Sequence, residues 1–304
     1  MRKQFAKTLI GLGEDKRLVV LIGDISHYLL REFHEKYPDR FYNMGVAEQS
    51  MMSMAAGLAL NGFFPVVHSI TPFITERCFE QIKDDLCYQH VGVNIVSVGS
   101  AFDYASLGCT HHCYDDIALL RSLPNMQIVY PSRPEEFDVL FRQTWANGSP
   151  TYFRLPQKTH TIQTHPTFGE VEKLKEGKDV TLVAIGPQLQ SAYDAAFDLE
   201  KEGISCSVFY ATTIKPISEA SKQKIIKSVG ETEKLVTVEE HSVIGGIGDE
   251  IVRICQGVHF IHRKIGIQDK FLTNYGTYEE HCRANNLTRE GVIQTVYEIK
   301  RTNH

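Results

Sequence analysis

The feature that most restricts how this chain can fold is a recurring alternation of short apolar runs with helix-length segments, present twice along the sequence. In the first half, LVVLIGD (18–24), FFPVVHSI (63–70), VNIVSVG (93–99), MQIVYP (126–131) and PTYFRL (150–155) have the length and aliphatic content of buried strands. Between them lie helix-type segments at 47–60, 73–87, 115–122 and 135–145; the first is rich in small residues (Ala55, Ala56, Gly57, Ala59) that permit close packing. From 157 to 178 the pattern breaks into a polar stretch rich in Thr, His and Lys, which reads as a linker across the surface. A second series follows: DVTLVAIG (179–186), a helix over 189–202, SCSVFYA (205–211), a helix over 218–228, KLVTVEE (234–240), a helix over 245–255 and a short tail. Strands alternating with helices at this spacing imply parallel sheets joined by right-handed crossovers. The expected fold is α/β: two consecutive three-layer α/β domains with mostly parallel sheets, over 1–156 and 179–304, with 157–178 between them.

Composition excludes several function classes. A chain of 304 residues has room for two ordinary cores. The net charge of −5 is mild and the basic residues are scattered, which argues against a nucleic-acid or membrane surface. No apolar run approaches the roughly 20 residues that a bilayer span needs. The opening MRKQFAKTLIGLG has too few apolar residues before Glu14 and Asp15 for a secretory signal. Seven cysteines without framework spacing fit reduced thiols and a cytoplasmic location.

The segment FYNMGVAEQSMMSMAAGLAL (41–60) carries the first chemical signal. Glu48 stands where a loop containing Gly45 enters a small, apolar helix. A carboxyl group partly withdrawn from water there is suited to share a proton with a ligand nitrogen. An acid at a helix start also serves simply as a cap, and taken alone that is the commoner role.

The surroundings change that weighting. This segment resembles the pyrimidine-domain motif of the transketolase family. The resemblance continues in order through SITPFITERCFEQIKDDLCY (69–88), LGCTHHCYDDIALLRSLPNMQIVYPS (107–132), SPTYFRL (149–155) and EEHSVIGGIG (239–248). It implies a thiamine-diphosphate-dependent enzyme in which Glu48 bonds the cofactor's pyrimidine ring and activates it. It implies that Phe73 stacks on that ring, although a plain core phenylalanine is the alternative. His111, in the Gly-x-Thr-His string at 108–111, would face the reacting centre and a substrate oxygen. His112 and Asp116 would orient the loop and cap the next helix. Asp24 matches an aspartate near the cofactor or the border between subunits, with a turn residue the equal alternative. Arg154 matches an arginine that grips a sugar phosphate; a solvated or internally paired arginine is the alternative. Cys109, His111, His112 and Cys113 lack zinc spacing, and no further Cys/His pair completes a site. Glu239, Glu240 and His241 with Gly245, Gly246 and Gly248 resemble the family's Glu-Glu-His…Gly-Gly turn, whose glycines serve backbone geometry and not a nucleotide.

Departures from the family matter equally. Position 99, usually histidine, is glycine; position 28, often serine, is tyrosine; the acid before Gly-x-Thr-His is Leu107. Losing these polar contacts points to an unusual sugar rather than the standard pentose phosphates. The Gly-Asp-Gly motif that holds magnesium and diphosphate is missing: GDI (23–25) and GDE (248–250) do not form it. The expectation is therefore the C-terminal subunit of a split transketolase. A partner chain would supply the diphosphate-binding domain and most of the Mg2+ (or Ca2+) ligands, in an α2β2 assembly whose pyrimidine-binding domains self-associate. The β-subunit of a 2-oxoacid dehydrogenase, a 1-deoxyxylulose-5-phosphate synthase and a non-catalytic assembly subunit are the competing readings.

Overall fold

Strand β1 (Leu18–Ile22) is buried along its whole length, and its side chains divide between two cores. Leu18, Val20 and Ile22 pack with Phe5, Phe33, Phe137 and Phe153 on one side, while Val19 and Leu21 pack with Met51, Met52 and Ala55 on the other. That two-sided burial is why the strand reads as a continuous apolar run. The computed structural model describes residues 1–302.

With β1 belong β2 (Phe41–Asn43), β3 (Phe64–Ile70), β4 (Asn94–Val98), β5 (Gln127–Val129) and β6 (Thr151–Leu155), all parallel. The second sheet holds β7 (Val171–Lys175), β8 (Val180–Ile185), β9 (Cys206–Ala211), β11 (Lys234–Ser242) and β12 (Ile261–Ile267), in the order β12-β11-β8-β9-β7. It is parallel except for β7, which runs antiparallel along β9. The short β10 (Thr213–Lys215) crosses over. It pairs antiparallel with β5 and extends the first sheet to seven strands, in the order β10-β5-β6-β4-β3-β1-β2. The core is continuous between the sheets, since Val183, Ile185 and Phe209 pack in the same cluster as Ile128 and Tyr152.

The two parallel α/β units are as expected, and three details differ. The stretch expected to be a surface linker is fastened down. His160 and Thr164 are buried on Glu136, whose carboxylate accepts from Thr164 Oγ1 at 2.6 Å and lies 3.1 Å from His160 Nε2. The segment over 73–87 is not one helix: a turn of helix at Thr71–Ile74 stops, and the chain resumes through Phe79–Gln81 into a wide π-type helix, Ile82–Tyr88. The C-terminal end is no short tail. It holds β12, a helix at Tyr278–Ala284 and a 13-residue helix at Arg289–Arg301.

Candidate active site

In open parallel sheets the loops that follow the strands' carboxyl ends gather at one edge and form the binding crevice. Asp24 follows β1, Phe73 follows β3 and the His111 loop follows β4, while Glu48 begins the 13-residue helix Glu48–Leu60 after β2. The topology therefore brings four of the five expected site residues to one edge.

Glu48 is 2% exposed. Ser69 Oγ, at the end of β3, donates to its Oε1 at 2.8 Å, and Arg77 Nη1 donates to its Oε2 at 3.0 Å. Gly23 makes room for this arrangement, because a Cβ there would lie 3.0 Å from Ser69 Oγ and 3.2 Å from Glu48 Oε1. The Arg77 side chain is 42% exposed, so one end of the pair is fixed in the core and the other reaches solvent. Its guanidinium also lies 4.5 Å above the centre of the half-buried Phe73 ring. Phe73 meets His111 edge to face, with centroids 5.3 Å apart. Glu48, Phe73, Arg77 and His111 thus form one chain of contacts.

His111 rides on a loop tied at its base, where Ala101 and Cys113 exchange backbone hydrogen bonds of 2.7 and 2.8 Å. The Gly108 carbonyl accepts from both His111 N–H and His112 N–H, closing a tight turn, and Thr110 Oγ1 sits 3.0 Å from His111 Nδ1. The loop leans on the C-terminal half. Phe102 stacks on His281, His112 meets His281 edge to face, and a Cβ at Gly108 would lie 2.7 Å from the Tyr275 ring. Burial holds both His112 and His281 below the ordinary histidine range.

Asp24 is exposed at the rim with left-handed backbone (φ 52°). Its N–H and carboxylate both bond the Asn43 side chain, at 3.1 Å each, which is the geometry of a turn residue. The variable positions also have physical reasons. Gly99 has φ 79°, and the Tyr104 ring fills the space any Cβ would need, so a histidine does not fit there. Leu107 and Tyr28 are exposed, at 49% and 79%.

Arg154 requires a correction. The resemblance sends it to a substrate phosphate, yet it has no solvent exposure. Its Nε donates to Asp116 at 2.8 Å, Nη1 to the Glu240 carbonyl at 3.1 Å and Nη2 to the Cys113 carbonyl at 3.2 Å. The Tyr130 ring lies against it at 4.6 Å. With those donors committed inside the fold, the guanidinium has no path to a sugar. Asp116 is accordingly the buried partner of Arg154 and Tyr152, more than a helix cap.

In the second sheet Glu239 fills the glycine turn itself. Its Oε2 accepts from Gly248 N–H at 3.1 Å and lies 2.8 Å from His241 Nε2, and a Cβ at Gly248 would come within 2.6 Å of Oε1. A carboxylate of the chain occupies the helix N-terminus, so the glycines serve packing. Cys109 is exposed whereas the Cys113 thiol is buried and donates to Glu76, and burial pushes it well above the ordinary thiol range. Among the described residues no group of three or more His, Cys, Asp or Glu side chains is placed to hold a metal ion. Sequence reasoning missed Ser69 and Arg77. Both lie in the segment 69–88 that carries part of the resemblance, but their role depends on β3 and the following turn meeting the Glu48 helix.

The transketolase pyrimidine-binding domain matches residues 1–161, and the transketolase C-terminal domain matches residues 169–292. The chain belongs to the transketolase family. A putative transketolase C-terminal section from Methanocaldococcus jannaschii is 33% identical, over 98% of this chain and 95% of that protein. An apulose-4-phosphate transketolase subunit from Phocaeicola vulgatus is 33% identical over 98% of this chain and 96% of that one. A 1-deoxy-D-xylulose-5-phosphate synthase from Heliobacterium modesticaldum is 34% identical over 97% of this chain but only 46% of its own length. A solved split-gene transketolase, described as an inactive beta4 tetramer, superposes with a TM-score of 0.86 at 32% identity, covering 98% of this chain and 97% of the other. Transketolase from Campylobacter jejuni shares the fold, with a TM-score of 0.80 at 18% identity. This chain is thus the C-terminal subunit of a split transketolase, an enzyme type that acts with a partner subunit.

The family implies thiamine diphosphate, and the residues present fit its pyrimidine half. They offer a buried carboxyl group whose second oxygen is held by the partly exposed Arg77 side chain, a half-buried aromatic ring under that guanidinium, and a glycine where any side chain would crowd the acid. Glu48 and Phe73 would hold that ring, and His111 would stand beside it. When bound, the cofactor supplies a stabilised carbanion equivalent.

Proposed function

We propose that this subunit, with a partner carrying the diphosphate-binding domain, transfers a two-carbon ketol unit from a ketose to an aldose acceptor. Thiamine diphosphate is the cofactor, and Mg2+ (or Ca2+) is held mainly by the partner. The assembly is α2β2, self-associating through the pyrimidine-binding half, and works in the cytoplasm. Glu48 carries this reading: a carboxyl group only 2% exposed at a helix start serves no solvent-facing role, and its Oε2 is held by Arg77, whose guanidinium lies on Phe73, the ring that meets His111. Glu48 fixes the ring nitrogen, Phe73 sets the ring plane, and His111 stands ready to hold or pass a proton at a substrate oxygen. Asp24 supports the rim through Asn43.

The donor is a phosphorylated or otherwise anionic ketose outside the standard pentose set. Gly99 and Leu107 lack the polar groups expected at those positions, Tyr28 puts a bulkier phenol where serine is usual, and a relative of nearly equal length is named for apulose 4-phosphate. The reconstituted two-chain enzyme should consume ketose with an aldose acceptor, and Glu48→Gln should abolish turnover without dissociating the complex. Full activity of Glu48→Gln would support a non-catalytic role instead. Consumption of pyruvate in place of ketose would support the synthase reading.

A further inference from the structure

Arg77 has no part in the proposed reaction, yet it lies across the residues that do. Its guanidinium makes two contacts at once: Nη1 to Glu48 Oε2 at 3.0 Å, and Cζ 4.5 Å from the centre of the Phe73 ring. A planar group that donates from its edge to Glu48 while lying on Phe73 reproduces what the aminopyrimidine of thiamine diphosphate would do there. Arginine is well suited to such mimicry, because guanidinium is flat, stacks on aromatic faces and pairs with carboxylates.

We infer that Arg77 is a further residue of the cofactor's pyrimidine site, occupying the ring's place in the free subunit and yielding it when the ring arrives. The inference rests on the thiamine reading proposed for Glu48 and Phe73. Glu48 has two oxygens; Ser69 takes the inner one and Arg77 the outer, so a ring nitrogen reaches the acid only by displacing Arg77. The mobile partner is the right one. The Glu48 side chain is 1% exposed and fixed in the core, whereas that of Arg77 is 42% exposed. Arg77 also springs from the turn where helix Thr71–Ile74 has already stopped, its N–H bonded to the Pro72 carbonyl at 3.1 Å. Swinging the side chain outward therefore breaks no helix. While it is in place, Arg77 gives the buried carboxylate a counter-charge, which a subunit without cofactor needs.

Such self-occupancy weakens the apparent cofactor affinity by the fraction of molecules that are open. If the closed form outweighs the open one by about ten to one, removing Arg77 tightens binding about tenfold. The test uses the assembled two-chain complex with Mg2+, titrated with thiamine diphosphate by calorimetry. Arg77→Met and Arg77→Ala should bind about tenfold more tightly than wild type. The same substitutions should lower the melting temperature of the cofactor-free complex, where Glu48 loses its partner. Weaker or unchanged affinity in both variants would overturn the inference and make Arg77 a direct cofactor contact or a bystander. If neither variant folds, the wild-type complex crystallised with thiamine diphosphate decides: Arg77 turned away from Phe73 supports the inference, and Arg77 still on Glu48 overturns it. Failure of the parent reading looks different, since wild type would then show no thiamine diphosphate binding at all, and the inference would fall with it.

Discussion

Arg154 and Asp116 form an ion pair with both side chains wholly buried, Nε to Oδ2 at 2.8 Å, joining β6 to the helix Asp116–Arg121. Tyr152 donates to the same carboxylate at 2.6 Å, and the remaining guanidinium donors hold the carbonyls of Cys113 and Glu240. The pair thus anchors the base of the His111 loop and ties the first sheet to the second.

Removing one partner of such a pair strands the other charge in a dry interior, which typically costs about 3–5 kcal/mol. Arg154→Ala should therefore lower the urea midpoint of the purified subunit sharply, and Asp116→Ala should do the same. A double substitution by apolar residues should recover part of the loss. An arginine working on substrate would behave otherwise, raising KM while leaving the unfolding midpoint in place. Equilibrium unfolding beside steady-state kinetics separates the two.

His281 presents a different case. Its ring stacks on Phe102 at 5.1 Å and meets the edge of His112 at 5.1 Å, and its two nitrogens are buried without hydrogen-bond partners among the described residues. A buried polar ring in that state contributes as a flat hydrophobe and loses the hydration of its nitrogens, so an apolar ring of similar shape is tolerated or preferred. His281→Phe should leave the unfolding midpoint unchanged or raised. His281→Ala removes the backing of the loop that carries His111, and should lower kcat severalfold with little change in KM for thiamine diphosphate. Rescue by Phe and not by Ala would assign His281 to positioning. Equal loss in both variants would sink that assignment.

The frame is legible in the sequence where the chemistry is local. β1, β3, β4, β8 and β9 are largely buried on both faces, so the same aliphatic runs that define them in sequence define them in space. Glu48 is legible locally only as an acid at the start of a small, apolar helix, which alone suits a cap; its tie to a cofactor ring comes from the resemblance along the whole chain. β12 is not: its burial is partial over IHRK and complete only over IGI, so the run never looks apolar. β10 is three residues long and exists only because β5, more than eighty positions earlier, offers an edge. The helix at Tyr278–Ala284 does carry a local signal, Thr277 and Glu280 capping each other reciprocally, but its short run has no apolar stripe to reinforce it. Arg154 shows the sharper limit. A strand-ending arginine looks the same in sequence whether it faces a ligand or Asp116, and only the fold decides which. Arg77 is the converse, an ordinary arginine in sequence that the fold lays across the candidate site.

His68 gives the clearest dependence on pH. It lies in β3 immediately before Ser69, fully buried against Phe5 at 4.7 Å. Its Nδ1 is 2.7 Å from the Val96 carbonyl, which only accepts, so Nδ1 carries the hydrogen; Nε2 then accepts from the Ser26 hydroxyl at 2.9 Å. Burial keeps the ring neutral, and it holds the loop between Asp24 and Tyr28. Burial pushes its pKa down from 6.5 to about 4. Between those values the unfolded chain binds a proton that the folded chain refuses, so stability is complete above about pH 6.5 and is lost as pH falls toward 4. At about 1.4 kcal/mol per unit the loss from this one group reaches roughly 3 kcal/mol at pH 4. His262, also held down to about 4 by burial, adds to the same window. In His68→Gln the amide can still donate to Val96 but does not titrate, so unfolding free energies measured in urea at pH 7 and pH 4.5 should lie closer together than in wild type. An unchanged difference between the two pH values would mean that His68 is protonated in the native state and that its bond to Ser26 runs in the opposite direction.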